Sequence, residues 1–169
     1  MLFNARSLCN KITGITEFLT EKKCDVCFIT EAWMKLENTS KVADIRDLGY
    51  NVILQPRKGK RGGGVCVLYK DHINIKKCNI NKNKSFEVLE VILNGKPDII
   101  RVSACYRTGK MSTDGRAKFV HDLDEYLQCL SLKKGEKFSL GILMYMSMKK
   151  ATLIEGTYIL PLIHMVFVK

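Results

Sequence analysis

Apolar and polar positions alternate along this chain with two different periods, and the switch between them outlines the elements. Residues 11–23 place Ile12, Ile15, Phe18 and Leu19 at helical spacing, with Asn10 available as a cap. Residues 26–29 then form an unbroken apolar run, as a strand buried on both faces requires. A short helix is expected over 41–48, stopped by Gly49, followed by a strand over 50–54 and a basic, glycine-rich turn over 56–64. Four strand-like segments come next, at 65–69, 73–80, 86–93 and 99–106, with Asn94-Gly95 as a hairpin signal. A second helical stripe over 117–132 aligns Phe119, Val120, Leu123, Leu127 and Leu130. Residues 138–143 read as a further buried strand, and Leu2-Phe3 as the stub of a first one whose beginning is missing. Helices and strands alternate, then strands run in series, then a helix returns. That order calls for a layered α/β domain and excludes a helical bundle.

At 169 residues the chain suffices for one domain with a sizeable core. The net charge of +11 points to a polyanion, nucleic acid first, although a merely solvated basic surface is the plain alternative. The charge is concentrated in runs at 57–61, 70–84 and 133–137. Seven cysteines, mostly in apolar surroundings, fit reduced core thiols of a nuclear or cytoplasmic protein better than a disulfide framework. Cys24 and Cys27 have CxxC spacing, but positions three apart on a strand face opposite ways, which argues against zinc. The sequence shows no secretory signal, and its most apolar stretch, 158–168, is too short to span a bilayer and contains Pro161.

Five short motifs follow one another in a definite order: Asn4-Ala5-Arg6-Ser7-Leu8, Thr30-Glu31-Ala32-Trp33, Gly49-Tyr50, Arg61-Gly62-Gly63-Gly64-Val65 and Tyr106-Arg107. In that order and at those separations they resemble the endonuclease domain of non-LTR (LINE-type) retrotransposons, a branch of the endonuclease/exonuclease/phosphatase superfamily. The resemblance implies a four-layer α/β sandwich, present here in part over residues 1–141, and hydrolysis of DNA phosphodiesters with magnesium or manganese. It implies DNA as partner, with neither a membrane nor a small-molecule cofactor.

Several residues carry that chemistry. Glu31 follows a buried strand, where α/β folds open their clefts, and the resemblance makes it the metal ligand. Its bland reading is a surface carboxylate capping a loop. Asn4 corresponds to the asparagine beside the metal, offering a donor and an acceptor without charge; otherwise it is a turn residue before the first helix. Tyr106 corresponds to a tyrosine near the scissile phosphate, able to donate to a phosphate oxygen, against the alternative of a half-buried strand aromatic. Arg6, Arg61 and Arg107 are the nucleic-acid-binding candidates. Related retrotransposon sequences often read Tyr-Arg-Pro-Pro where Thr108-Gly109 stand here. Glu87, in Ser85-Phe86-Glu87, matches another family position. The triple glycine is not a phosphate loop, because a strand follows it rather than Lys-Ser/Thr and a helix; close backbone approach at a turn explains it better. His121, amid apolar neighbours on a helix, reads as structural.

The resemblance stops after Gly141. Where the family has Gly-Asp-Phe-Asn, supplying the aspartate that activates water, this chain has Gly141-Ile142-Leu143-Met144, and no terminal Ser-Asp-His follows. Four of the seven methionines fall in the last 26 residues. A shift of one nucleotide at these codons permits Gly-Asp-Phe-Asn-Val-His-Val-Asp, so residues 142–169 are expected to be a frame-shifted, off-family tail with low order beyond Met148. The reading is therefore a target-site-nicking endonuclease remnant, inactive as written. The alternatives are a non-catalytic basic nucleic-acid-binding fragment and another phosphoesterase branch of the superfamily.

Overall fold

A computed structural model describes residues 1–57, 59, 62–78, 85–95, 99–107, 112–132, 137–144 and 163–165, the last two stretches as backbone only. The elements run β1 (Leu2–Asn4), α1 (Ile12–Glu21), β2 (Val26–Thr30), α2 (Thr39–Asp47), β3 (Asn51–Gln55), β4 (Val65–Tyr69), β5 (Ile75–Lys77), β6 (Glu87–Asn94), β7 (Ile99–Arg107), α3 (Thr113–Ser131), β8 (Lys137–Met144) and β9 (Ile163–Met165). The strands form two sheets, one ordered β1-β2-β4-β3 and the other β5-β6-β7-β8-β9.

The period-2 alternation of each strand decides what lies on either side of its sheet. In β2 and β4, Cys27, Ile29, Cys66 and Leu68 face one way and pack with Leu8, Ile12, Leu19, Ile45 and Tyr50 under α1 and α2. Their neighbours Phe28, Val65 and Val67 face the other way and meet Leu89 and Val91 of β6 and Ala104 and Tyr106 of β7. The outer face of the second sheet, through Phe86 and Cys105, packs on Phe119, Tyr126 and Leu130 of α3. Helices, sheet, sheet and helix are thus stacked in four layers, the α/β sandwich that the motifs implied. Burial of the thiols follows from the same packing: it pushes the Cys27 thiol up to about 12 and raises those of Cys66 and Cys105 further still. All seven cysteines are free.

Some boundaries move. The first helix begins at Ile12, with Lys11 in the capping position and no side-chain cap, so Asn10 does not serve. α3 starts a turn earlier than its apolar stripe suggests, because the Ser112 hydroxyl accepts from the Gly115 N–H and caps it. Phe119, Leu123, Leu127 and Leu130 of its expected stripe pack inward, and one position departs. Val120 is 51% exposed, whereas Asp122 is buried and accepts a 2.7 Å bond from the Ser85 N–H. The side chain of His121 is 72% exposed rather than embedded in a core. Asn94 pairs with Ile99, so four residues, not a two-residue turn, connect β6 to β7.

On the α3 side of the second sheet lies a polar cluster that the sequence pattern did not announce. Glu90 of β6 pairs with Arg101 of β7, and the Tyr126 hydroxyl donates to Glu90 at 2.8 Å. Burial is the main reason that the Tyr126 phenol is held well above its usual range.

Within the off-family tail, β8 pairs in parallel with β7, and β9 pairs in parallel with Leu140–Ile142 of β8. Ile163–Met165 thus pair in the second sheet, within the segment for which low order beyond Met148 was expected. The remainder of that expectation falls on residues 145–162 and 166–169, outside the described residues. No helix among the described residues is long and apolar enough to cross a membrane.

Candidate active site

The strands bring the proposed chemistry to one edge of the sandwich. β1 and β2 are parallel, and Asn4 stands opposite Thr30 in their register. β7 ends at the same edge, where the Tyr106 hydroxyl donates to the Glu31 carboxylate across the gap between sheets. One strand position away, Glu87 pairs in register with Tyr106 and also reaches across. It binds the Arg57 guanidinium and accepts a 2.6 Å bond from the Gly64 N–H. Two neighbouring side chains of the second sheet, a phenol and a carboxylate, thus fasten the first sheet at this edge.

Beyond the ends of β1, β2 and β4 the backbone continues as an irregular ladder. Ser7 N–H donates to the Glu31 carbonyl at 2.8 Å, and Leu8 N–H to that of Ala32 at 2.8 Å. On the other flank, Ala32 and Trp33 donate to the carbonyls of Gly64 and Gly63, at 3.1 and 2.9 Å. Four non-glycine residues in this ladder, Arg6, Ser7, Glu31 and Trp33, adopt left-handed backbone conformations with φ of 46°, 84°, 51° and 54°. Side chains rarely take that region, and such strain persists where surrounding bonds over-determine it.

The triple glycine has a definite task in this ladder. Gly63 and Gly64 adopt φ of 72° and 83°, and any side chain on Gly63 would run into the Arg57 guanidinium. The turn reading holds, and its purpose is to let Arg57 lie across the backbone toward Glu87. Gly63→Ala should therefore displace Arg57 and impose a left-handed alanine, costing about 1–2 kcal/mol for the backbone alone. Urea unfolding is the measurement, and a cost below about 0.5 kcal/mol would refute the left-handed conformation at Gly63.

Electrostatics fix the protonation states. Burial raises the Tyr106 phenol far above its usual range, helped by its bond to Glu31 and by the charges of Glu31 and Glu87. Tyr106 thus remains a neutral donor, its proton directed at Glu31. Burial likewise raises Glu87, although Arg57 and the Gly64 N–H oppose the shift. Asn4 is half-buried, and its Oδ1 accepts the Arg6 N–H at 3.0 Å, so it also shapes the turn toward α1.

The other candidates separate from this group. Arg6 is exposed at the same edge. Arg61 lies outside the described residues. Arg107 follows Tyr106 and so faces the opposite side of the sheet, where its guanidinium lies 4.9 Å above the Phe119 ring. Strand alternation therefore parts Arg107 from Tyr106, and its expected phosphate contact does not join this group. Arg57 is the residue that sequence reasoning passed over. It stood within the basic turn, but only the packing of the two sheets on each other brings Glu87 to it as its partner.

The end of β8 arrives here as well. Cys105, Tyr106 and Arg107 stand opposite Ile142, Leu143 and Met144. None of these three β8 residues carries a carboxylate, the group that the resemblance led one to expect after Gly141.

A magnesium-sized cation matches the donor chemistry of the other half of the edge. Such ions take hard oxygens, commonly one or two carboxylates, with water and phosphate completing the shell. Glu31 supplies a carboxylate for which no cationic side chain is described, Asn4 supplies an amide oxygen one register position away, and the buried Thr30 hydroxyl lacks a partner among the described residues.

Comparison with known proteins agrees with the fold. Residues 1–136 match the model of the Endonuclease/Exonuclease/phosphatase family. No curated protein matches the chain. Among solved structures, the 3′ phosphatase NExo from Neisseria bound to product DNA hairpin is similar, with a TM-score of 0.61 and 15% identity over 82% of this chain and 54% of that one. An AP endonuclease from Archaeoglobus fulgidus gives 0.55 and 20% identity, over 76% of this chain and 50% of that one. TDP2 from Caenorhabditis elegans gives 0.52 and 12% identity, over 79% and 41%. The chain thus spans about half or less of the length of these structures.

Proposed function

Because this chain belongs to the endonuclease/exonuclease/phosphatase family, we propose that it derives from a metal-dependent DNA endonuclease of the LINE-type retrotransposon branch and now binds DNA without cutting it. The observation that carries this reading is the edge itself. It keeps Asn4, Glu31 and Tyr106 together, while β8 brings Ile142, Leu143 and Met144 to the same place. In this reading Glu31 and Asn4 hold magnesium or manganese, which when bound would neutralise charge on a phosphate oxygen. Tyr106 orients the Glu31 carboxylate by its hydrogen bond. Arg6 contacts the DNA backbone, and Arg61 is assigned the same role from its place in the basic turn. In this reading β8 supplies no carboxylate to remove a proton from water, so binding outlives hydrolysis. Residues 1–141 are the family domain in this proposal, and 142–169 the product of an altered reading frame.

The charge of +11 supplies the test. Each phosphate neutralised by Lys or Arg releases counterions, so affinity for DNA should fall at least about tenfold from 50 to 200 mM salt, with little dependence on sequence. Fluorescence anisotropy of a labelled duplex measures it. An affinity that stays flat over that range would remove nucleic acid as the partner.

A further inference from the structure

Trp33 is 46% exposed, an unusual position for the chain's one tryptophan. It stands two residues after Glu31, at the same edge, and its backbone is held in the left-handed region at φ 54°. The hold is firm on both sides: its N–H donates to the Gly63 carbonyl at 2.9 Å, and the Cys9 thiol lies 4.0 Å from its own carbonyl. The indole is backed by the glycine-rich turn. Its Cε2 and Nε1 atoms lie 3.4 Å from the point at which a Gly62 side chain would begin, an ordinary contact distance, so the ring lies against this turn, whose Gly62 adopts φ 79°. A large aromatic ring kept out of every core cluster, supported from below and placed by a strained backbone is costly for the fold alone. Lys35, two residues after Trp33 in the chain, is exposed, as is Arg6, whose neighbour Ser7 bonds to Glu31 in the same ladder.

We infer that Trp33 is a stacking platform for a base of the bound nucleic acid, beside the Glu31–Tyr106 edge. An indole offers a broad π-face to any base, and adjacent cations track the phosphates, the combination by which single strands or frayed duplex ends are held without sequence preference. Trp33 is thus a binding residue for the strand at the edge where Glu31 lies. This inference rests on the reading of the chain as a DNA-binding member of its family, and the experiment separates the two.

Being the sole tryptophan, Trp33 reports on itself. Titrating the full chain with single-stranded oligodeoxythymidylate should quench its fluorescence, whereas heparin, a polyanion without bases, should not. In parallel, anisotropy of a labelled strand should show that Trp33→Asn, whose residue type tolerates left-handed backbone, weakens binding about five- to a hundredfold, as loss of one stacked base predicts. Trp33→Phe should keep most of the affinity, and heparin binding should be unchanged in both variants. If the wild-type chain binds DNA with the expected salt dependence yet shows equal affinity in Trp33→Asn and no base-dependent quenching, the platform is refuted and the functional reading stands. If the wild-type chain does not bind DNA at all, both fall.

Discussion

Supercoiled plasmid incubated with this chain and magnesium should remain un-nicked over times in which an active relative converts it fully. A positioned general base commonly contributes about two to four orders of magnitude, and the strand end that would deliver one carries Ile142, Leu143 and Met144 opposite Cys105, Tyr106 and Arg107. The triple replacement Ile142→Asp, Leu143→Phe and Met144→Asn restores the expected Gly-Asp-Phe-Asn and should raise nicking above the unmodified chain, in a manner lost on adding Glu31→Ala. Efficient nicking by the unmodified chain, abolished by Glu31→Ala alone, would overturn the proposal of binding without hydrolysis. The encoding DNA gives an independent check: a one-nucleotide shift near the Gly141 codon should reveal Asp-Phe-Asn, and codons that exclude it would refute the altered frame.

Glu90→Ala should destabilise the chain by about 3–5 kcal/mol, the cost of leaving a buried cation without its counter-charge. The Arg101 and Glu90 side chains are only 9% and 3% exposed, and they lie between the second sheet and α3. Removing the carboxylate also takes the acceptor from the Tyr126 hydroxyl, which keeps Ser103 Oγ at 2.7 Å. Replacing Glu90 and Arg101 together with leucine should recover most of the loss, because then no charge is stranded. Urea unfolding of both variants is the measurement. A loss below about 1 kcal/mol for Glu90→Ala would mean that water reaches the guanidinium and that the pair is effectively a surface one.

The contrast between Glu31 and Glu90 shows what the amino-acid order can carry. The placement of Glu31 at a strand end was legible because its setting is local: a buried strand precedes it, and its neighbours form a contiguous motif. The strand-end positions of Asn4 and Tyr106 were legible for the same reason, as was the layered fold, whose strands announced themselves by alternation and unbroken apolar runs. Glu90 and Arg101 lie in strands otherwise read as apolar, 11 residues apart, and only antiparallel pairing makes them partners. The Arg57–Glu87 pair spans 30 residues and both sheets, so no local pattern could have disclosed it. Arg107 failed differently. Adjacent residues of a strand face opposite ways, and a motif that names Tyr106 and Arg107 together hides that separation. Val120 belonged to the helical stripe by spacing, yet it is exposed while Phe119, Leu123, Leu127 and Leu130 pack inward and Asp122 is buried against the Ser85 N–H.

The division of the sandwich into two sheets also sets a schedule for synthesis. Every strand of the first sheet lies before Lys70, and every strand of the second lies after Asn74. The first sheet can therefore close while the second is still being made, with α1 and α2 covering one of its faces. The other face, through Phe28, Val65 and Val67, has no cover until β6 and β7 exist. At about 5–20 residues per second the 38 residues from Tyr69 to Arg107 take roughly 2–8 s to appear. During that interval a nascent chain displays a bare apolar sheet, which makes this half-built state, rather than the finished sandwich, the point at which a chaperone or an aggregate competes for the molecule.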